Sequence, residues 1–168
     1  MTSSTKDIFV SQLEARLNAT LGPRDQQWGS FPTADLPLVT WLRDGTVFIH
    51  MGDDTKLSVR VPLVSGLSVS SGILDWISTR NSAQYAGHYW LRPGADEHNW
   101  QLVCEVKFPW DWFDQHLADV VTQACPGLGT VLNRDVAPDF IRQFGGQPWW
   151  DSACAAEHMG AQILALLD

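Results

Sequence analysis

Cysteine is scarce in this chain. Cys104, Cys125 and Cys154 are spread over 168 positions with no Cys-x-x-Cys pair. An odd, dispersed set fits neither a disulfide framework nor a zinc site. Cys104 falls on an apolar strand face and reads as a small core residue. Basic charge is scarce as well: 11 Lys and Arg stand against 19 Asp and Glu, a net of −8. From Asp111 onward eight acids face only Arg134 and Arg142, a net of −6. Nucleic acids and anionic membrane surfaces demand a basic footprint, so neither is an expected partner. No apolar run is long enough to cross a bilayer. The segment Met1–Asp7 is polar, unlike a leader peptide, and the cytoplasm is the expected compartment.

Signature motifs are also lacking. No G-x-x-x-x-G-K-[ST] phosphate loop occurs. Gly127-Leu128-Gly129 has Leu132 where a dinucleotide fingerprint needs its third glycine, and reads as a bend. The five histidines (His50, His88, His98, His116 and His158) show neither H-x-x-x-H nor H-E-x-x-H spacing. Asp96-Glu97-His98 is the densest polar cluster, and it reads as a hairpin turn, where such residues are expected. His50 and His88 fall on strands. The carboxylate pairs Asp53-Asp54 and Asp111/Asp114 have structural readings as a turn and a helix start. The nearest approach to a nucleophile elbow, G-x-S-x-G, is Gly66-Leu67-Ser68-Val69-Ser70, whose last position is wrong. A serine-rich helix entry explains it better. The expectation is a protein without catalytic machinery, metal or cofactor.

What the chain does have is a globular balance, 45% apolar and 18% charged, with nine tryptophans. That composition suits one domain able to bury most of its apolar surface. Phe9, Leu13, Leu17 and Leu21 recur every four residues and predict a helix that Gly22-Pro23 ends. Residues 22–35 read as a loop carrying Trp28 and Phe31. Leu38–Leu42, the alternating 46–51 and the alternating 57–63 are joined by Asp44-Gly45 and Gly52-Asp53-Asp54, and predict an antiparallel meander. Ser70 or Ser71 opens a second helix, with Ile73, Leu74, Trp76 and Ile77 on one broad face, and Asn81 closes it. Gly87–Arg92 and 100–108 form a second β block. In the latter, Trp100, Leu102, Cys104, Val106 and Phe108 face one way, while Gln101, Val103, Glu105 and Lys107 face the other. Three further helices follow: one from Asp111 or Asp114 up to Pro126 with Phe113, Leu117, Val120, Val121 and Ala124 inward, a shorter one near 136–144, and a last one capped by Asp151 with Met159, Ile163, Leu164 and Leu167 inward.

The expected fold is therefore α+β, an antiparallel sheet of about five strands with helices on one face, in the order α-βββ-α-ββ-α-α-α. No linker divides the chain, so residues 1–168 read as one domain with a core over about 5–145 and a helical extension over 146–168.

This order of elements resembles the type III secretion chaperone-like and YbjN-like superfamily, in an actinobacterial form. The resemblance rests on the helix-plus-meander opening, on the segment Trp76-Ile77-Ser78-Thr79-Arg80-Asn81 followed by Gly87-His88-Tyr89-Trp90, and on the hairpin Gly87–Phe108. A capped helix with Phe113 and Leu117 and the stretch Phe140-Ile141-Arg142-Gln143-Phe144-Gly145-Gly146 complete it. Ser78 departs from the usual pattern, and the tail with Trp149 and Trp150 lies outside it. The resemblance implies a chaperone-like module that binds a protein or peptide client, is often dimeric and has no enzymatic activity.

The candidate binding residues are aromatic. Trp110 and Trp112 flank the start of the third helix, and Trp149 and Trp150 sit between chain breakers and the last helix. All four read either as core plugs or as the lining of a groove that grips an apolar peptide. If Tyr89 and Leu91 face the core, Trp90 stands on the outer sheet face beside Val103 as a contact patch. An acidic C-terminal third favours a basic client. The competing readings are a small-molecule or enzymatic domain with a Trp-lined cavity, and a structural subunit that buries its aromatics in a homodimer.

Overall fold

The computed structural model describes residues 5–24, 28–29, 38–40, 47–50, 56–83, 87–94, 98–109, 119, 121 and 127–152. Helix α1 (Thr5–Leu21) opens the chain. Its every-fourth-residue stripe is buried as the spacing requires: Phe9, Leu13 and Leu17 are at most 1% exposed. Gly22 then takes a left-handed φ of 95°, and its amide donates to the Asn18 carbonyl at 3.2 Å. The Trp28 indole donates to the Gly22 carbonyl at 2.8 Å. Trp28 is thereby buried and extended in the two-residue strand β1 (Trp28–Gly29). It belongs to the sheet, where the sequence suggested a loop.

Five antiparallel strands build the sheet: β2 (Leu38–Thr40), β3 (Val47–His50), β4 (Lys56–Leu67), β5 (His88–Arg92) and β6 (Trp100–Pro109). Their order is β2-β3-β4-β6-β5, with β1 beside β2. The meander and the later hairpin thus form one sheet, sealed by the pairing of β4 with β6. β4 runs beyond the expected 57–63 because β6 pairs with it as far as Leu67 opposite Trp100. Pro62 has no N–H for a ladder, and it sits at a shift of register between Pro62 and Val64. On the other edge of β4, β3 pairs only as far as Arg60, and β7 (Gln147–Pro148) takes over at Val64 and Ser65. Pro62 therefore lies in the gap between them.

Three helices cover one face of this sheet. α1, α2 (Ser71–Ala83) and α3 (Ala137–Phe144) contribute Phe9, Leu13, Leu17, Ile73, Ala137 and Phe140 to a single apolar cluster. The sheet answers with Val47, Ile49, Leu57, Val59, Val61, Leu67, Tyr89, Leu102 and Cys104. Truncating any one of its large aliphatic or aromatic members would cost about 2–5 kcal/mol through lost burial and the cavity left behind. Burial pushes the Cys104 thiol up to about 11, helped by the neighbouring Glu105 charge, so it stays protonated and inert. On α2 the broad face is narrower than its sequence suggests: Ile73 is buried, but Leu74 is 52% exposed.

The segment before α3 departs from the expected bend. Residues 127–131 are helical, and a π-helical stretch (Leu132–Val136) carries them into α3. Leu128, Leu132, Val136, Phe140 and Phe144 recur every four residues, and all lie in the core or against it. A regular α-helix would rotate such a repeat by about 40° each time. The wider π turn takes up that drift and keeps the stripe on the sheet. The Asn133 side-chain amide donates to the Gly129 carbonyl at 2.9 Å, occupying an acceptor that the altered ladder frees. Burial outweighs the low helix propensity of Gly127 and Gly129.

Of the expected third helix, the described residues Asp119 and Val121 are helical. The last helix, from residue 153, lies outside the described residues.

β5 is an edge strand, and α2 guards it. The Tyr89 amide donates to Asn81 Oδ1 at 2.7 Å, and Asn81 Nδ2 donates to the Tyr89 carbonyl at 2.9 Å. One side-chain amide thus stands in for a missing strand neighbour, which blunts the edge. Asn81 also fastens the end of α2 to the sheet. We expect Asn81→Ala to lower unfolding stability by about 1–3 kcal/mol, because two backbone groups lose their partners; urea denaturation checks it.

Candidate functional site

The outer face of the sheet, opposite the helices, holds the sequence-derived candidates. Strand alternation sends Tyr89 into the core, where it is 3% exposed, with Leu91 packed against the same cluster. Trp90 therefore points outward, and Val103 is its cross-strand partner. Two rows cross this face. Phe48, Arg60, Glu105 and His88 form one; Pro62, Val103 and Trp90 form the next.

The outer face is not open at its centre. Val103 is 4% exposed, Gln101 3% and Phe48 7%. Val103 consequently cannot make the first contact with a partner, as an exposed Trp90–Val103 patch would require. The Arg60 guanidinium lies 5.6 Å from the centre of the Trp90 ring, a cation–π contact. Trp90 is half-buried, and its shielded indole N–H meets no acceptor among the described residues.

Beneath that pair lies a buried carboxylate that the sequence did not single out. Glu105 has a side chain 3% exposed. Arg60 Nε donates to its Oε1 at 2.8 Å. His88 Nε2 stands 3.4 Å and Lys107 Nζ 3.5 Å from its Oε2. Burial alone would raise the Glu105 carboxyl. The hydrogen bonds from Arg60 and Ser58 and the charges of Arg60 and Lys107 outweigh it and hold the carboxyl below its ordinary value. The signal was present in the sequence as Arg60 and Glu105 at outward positions on alternating strands. Only the pairing of β4 with β6 puts them opposite one another.

The tail reaches the same face. After β7, a 3₁₀ turn (Trp149–Asp151) sets Trp149 edge-on against Phe48, with ring centres 5.6 Å apart. Trp149 is 2% exposed, so it plugs the outer face and is not free to line a groove. The Ser152 hydroxyl and amide both bond the Trp149 carbonyl and close the turn. Trp150 also lies edge-on to Trp149 at 5.6 Å. It is half-buried, and like Trp90 it keeps a shielded indole N–H with no acceptor among the described residues. Trp110 and Trp112 lie outside the described residues.

Trp150 forms one wall of a groove of about 700 Å³ against α3. Ala137, Pro138, Ile141 and Pro148 supply its apolar surface; Asn133, Arg142 and Asp151 supply polar groups. Trp149 is therefore a plug, while Trp150 lines the depression. Among the described residues, no group of three His, Cys, Asp or Glu side chains could hold a metal ion, and no helix is long and apolar enough to cross a membrane.

The Glu105 cluster sets an acid sensitivity. A carboxyl held low in the folded state adds stability that is complete above its unfolded value and disappears as pH falls through its folded value. Glu105→Gln should therefore cost roughly 2 kcal/mol at neutral pH, and the gap to the native chain should close as pH drops below the ordinary carboxylate range. Thermal unfolding of both chains across that range measures it. No protein-family model matches the chain, and no curated protein matches it significantly.

Proposed function

We propose that this chain is a binding module that holds an apolar segment of a protein client in the groove between α3 and Trp150. The observation that carries this reading is the Trp150 wall itself. It combines a large apolar ring, partly open, with an indole donor that has no acceptor among the described residues. Such a donor costs about 1–3 kcal/mol when left unpaired, and a bound peptide offers a carbonyl at every residue. Aromatic anchors in an apolar groove with polar groups around it are the usual source of peptide affinity. Among the described residues the lining is apolar surface with amide, guanidinium and carboxylate groups around it, a composition that suits binding.

Charge narrows the client. A net of −8, with −6 concentrated after residue 110, draws in a basic partner and repels an acidic one. An amphipathic segment with lysine or arginine around an apolar stripe fits both groove and field. This reading agrees with the resemblance to the type III secretion chaperone-like and YbjN-like proteins, in which a client segment is held without being chemically altered. A homodimer is the assembly that the resemblance carries with it.

The test uses a labelled amphipathic peptide of leucine and lysine, followed by fluorescence anisotropy. Trp150→Ala and Pro138→Arg should each weaken binding about tenfold or more, and added salt should weaken it further. Pro138 is exposed, so the second variant should unfold at the native temperature. Native affinity in both variants would remove the groove from consideration.

A further inference from the structure

We propose that Ser68 and His98 form a nucleophile–base pair able to hydrolyse esters with a small apolar acyl group. Ser68 lies on the short link between the end of β4 and the start of α2. That is the strand–turn–helix setting in which a serine hydroxyl is held out from a sheet. Gly66, with φ of 70°, is a left-handed residue two positions before it, inside the end of β4. His98 arrives from the hairpin between β5 and β6. It is distant in sequence, but the pairing of Leu67 with Trp100 carries the two neighbours together. Ser68 Oγ and His98 Nδ1 are 3.1 Å apart.

The structure separates this serine from its neighbours. A serine-rich helix entry accounts for Ser70: its Oγ accepts from the Ile73 amide at 3.3 Å, and its carbonyl accepts from the Leu74 amide at 3.1 Å. Ser70 is therefore the cap of α2. Ser68 performs no such service; among the described residues its hydroxyl meets His98. The pair borders an open depression of about 590 Å³ whose other walls are Val69, Leu74, Leu91 and Trp100. Val69 and Leu74 are 41% and 52% exposed, two of the few large apolar side chains left in water. A nucleophile and a base beside a small apolar floor fit an acyl group of a few carbons.

The chemistry closes without an added oxidant or metal. With the ring proton on Nε2, Nδ1 accepts the Ser68 hydroxyl proton as Oγ bonds to the ester carbonyl carbon. The Ile73 and Leu74 amides are taken by Ser70, so the donors this step enlists for the oxyanion are the Ser71 and Gly72 amides at the start of the 13-residue α2. Collapse breaks the bond to the leaving alcohol, which takes the proton from His98, and leaves acyl-Ser68. Water then attacks the acyl carbon and gives its proton to His98. That proton returns to Oγ as the carboxylic acid departs. The sum is ester plus water to acid plus alcohol.

The experiment pairs p-nitrophenyl butyrate hydrolysis with labelling by a fluorophosphonate, read by mass spectrometry on the full chain. We expect one adduct per chain, on Ser68, and none on Ser68→Ala. His98→Gln should label and turn over about 100-fold more slowly. Ser82→Ala should behave as the native chain, since Ser82 bonds the Thr79 carbonyl at the far end of α2. Ser68 and His98 are exposed, so unchanged thermal unfolding verifies each variant. No adduct, an adduct on another residue, or a native rate in His98→Gln would overturn the assignment. Trp150→Ala leaves this readout untouched, which keeps it separate from peptide binding.

Discussion

The pairing of β4 with β6 governs this molecule. It joins the meander that precedes α2 to the hairpin that follows it, and its register runs from Lys56 opposite Pro109 to Leu67 opposite Trp100. Because strand side chains alternate, that register decides which residues face the helices and which face away. Val59, Val61, Leu102 and Cys104 fall inward and close the core. Arg60, Glu105, Pro62 and Val103 fall outward. A slip of one position would bury Arg60 among the helices and expose Val61. Burial of the inward row therefore enforces the register, and the register builds both the Glu105 cluster and the Ser68–His98 encounter.

The two faces of the sheet are closed by different means. Helices seal one with apolar side chains. The other is closed locally, by Trp149 against Phe48 and by Arg60 spanning Glu105 and Trp90. A buried carboxylate costs desolvation, which Arg60, Lys107 and the Ser58 hydroxyl offset. Its benefit is more one of specificity than of strength: a wrong register would leave Glu105 buried without Arg60. Among the described residues, the indole donors of Trp90 and Trp150 have no acceptor. Native chains satisfy most buried polar atoms, so two indoles without acceptors among the described residues, one on the outer sheet face and one against α3, direct attention to recognition there.

Much of the fold was legible beforehand, and for specific reasons. The four-residue stripe of α1, the alternation in β6 and the Ser70 cap are local signals, and each element formed where its signal stood. The same reading failed where local and tertiary preferences diverged. Gly127-Leu128-Gly129 looked like a bend because glycine weakens helices; the apolar stripe through Phe140 overrode it. Leu74 looked buried by spacing, yet the core under α2 ends at Ile73. Trp149 and Trp150 are adjacent and chemically identical, and no local rule tells a plug from a groove wall. A 3₁₀ turn separates them by pointing one at Phe48 and the other at α3.

By itself the sequence left the direction of Trp90 to the register, but it determined the α+β class, the positions of α1, α2 and the main strands, and the acidic field. These follow from periodicity, capping and charge, which act over a few residues or sum over the whole chain. Tertiary structure alone decided that Glu105 is buried among Arg60, His88 and Lys107, that Val103 and Trp149 are covered, and that Ser68 meets His98. Each of these depends on residues tens of positions apart becoming neighbours. That distance is set by strand register and by where the tail crosses the sheet, and neither leaves a mark in local sequence.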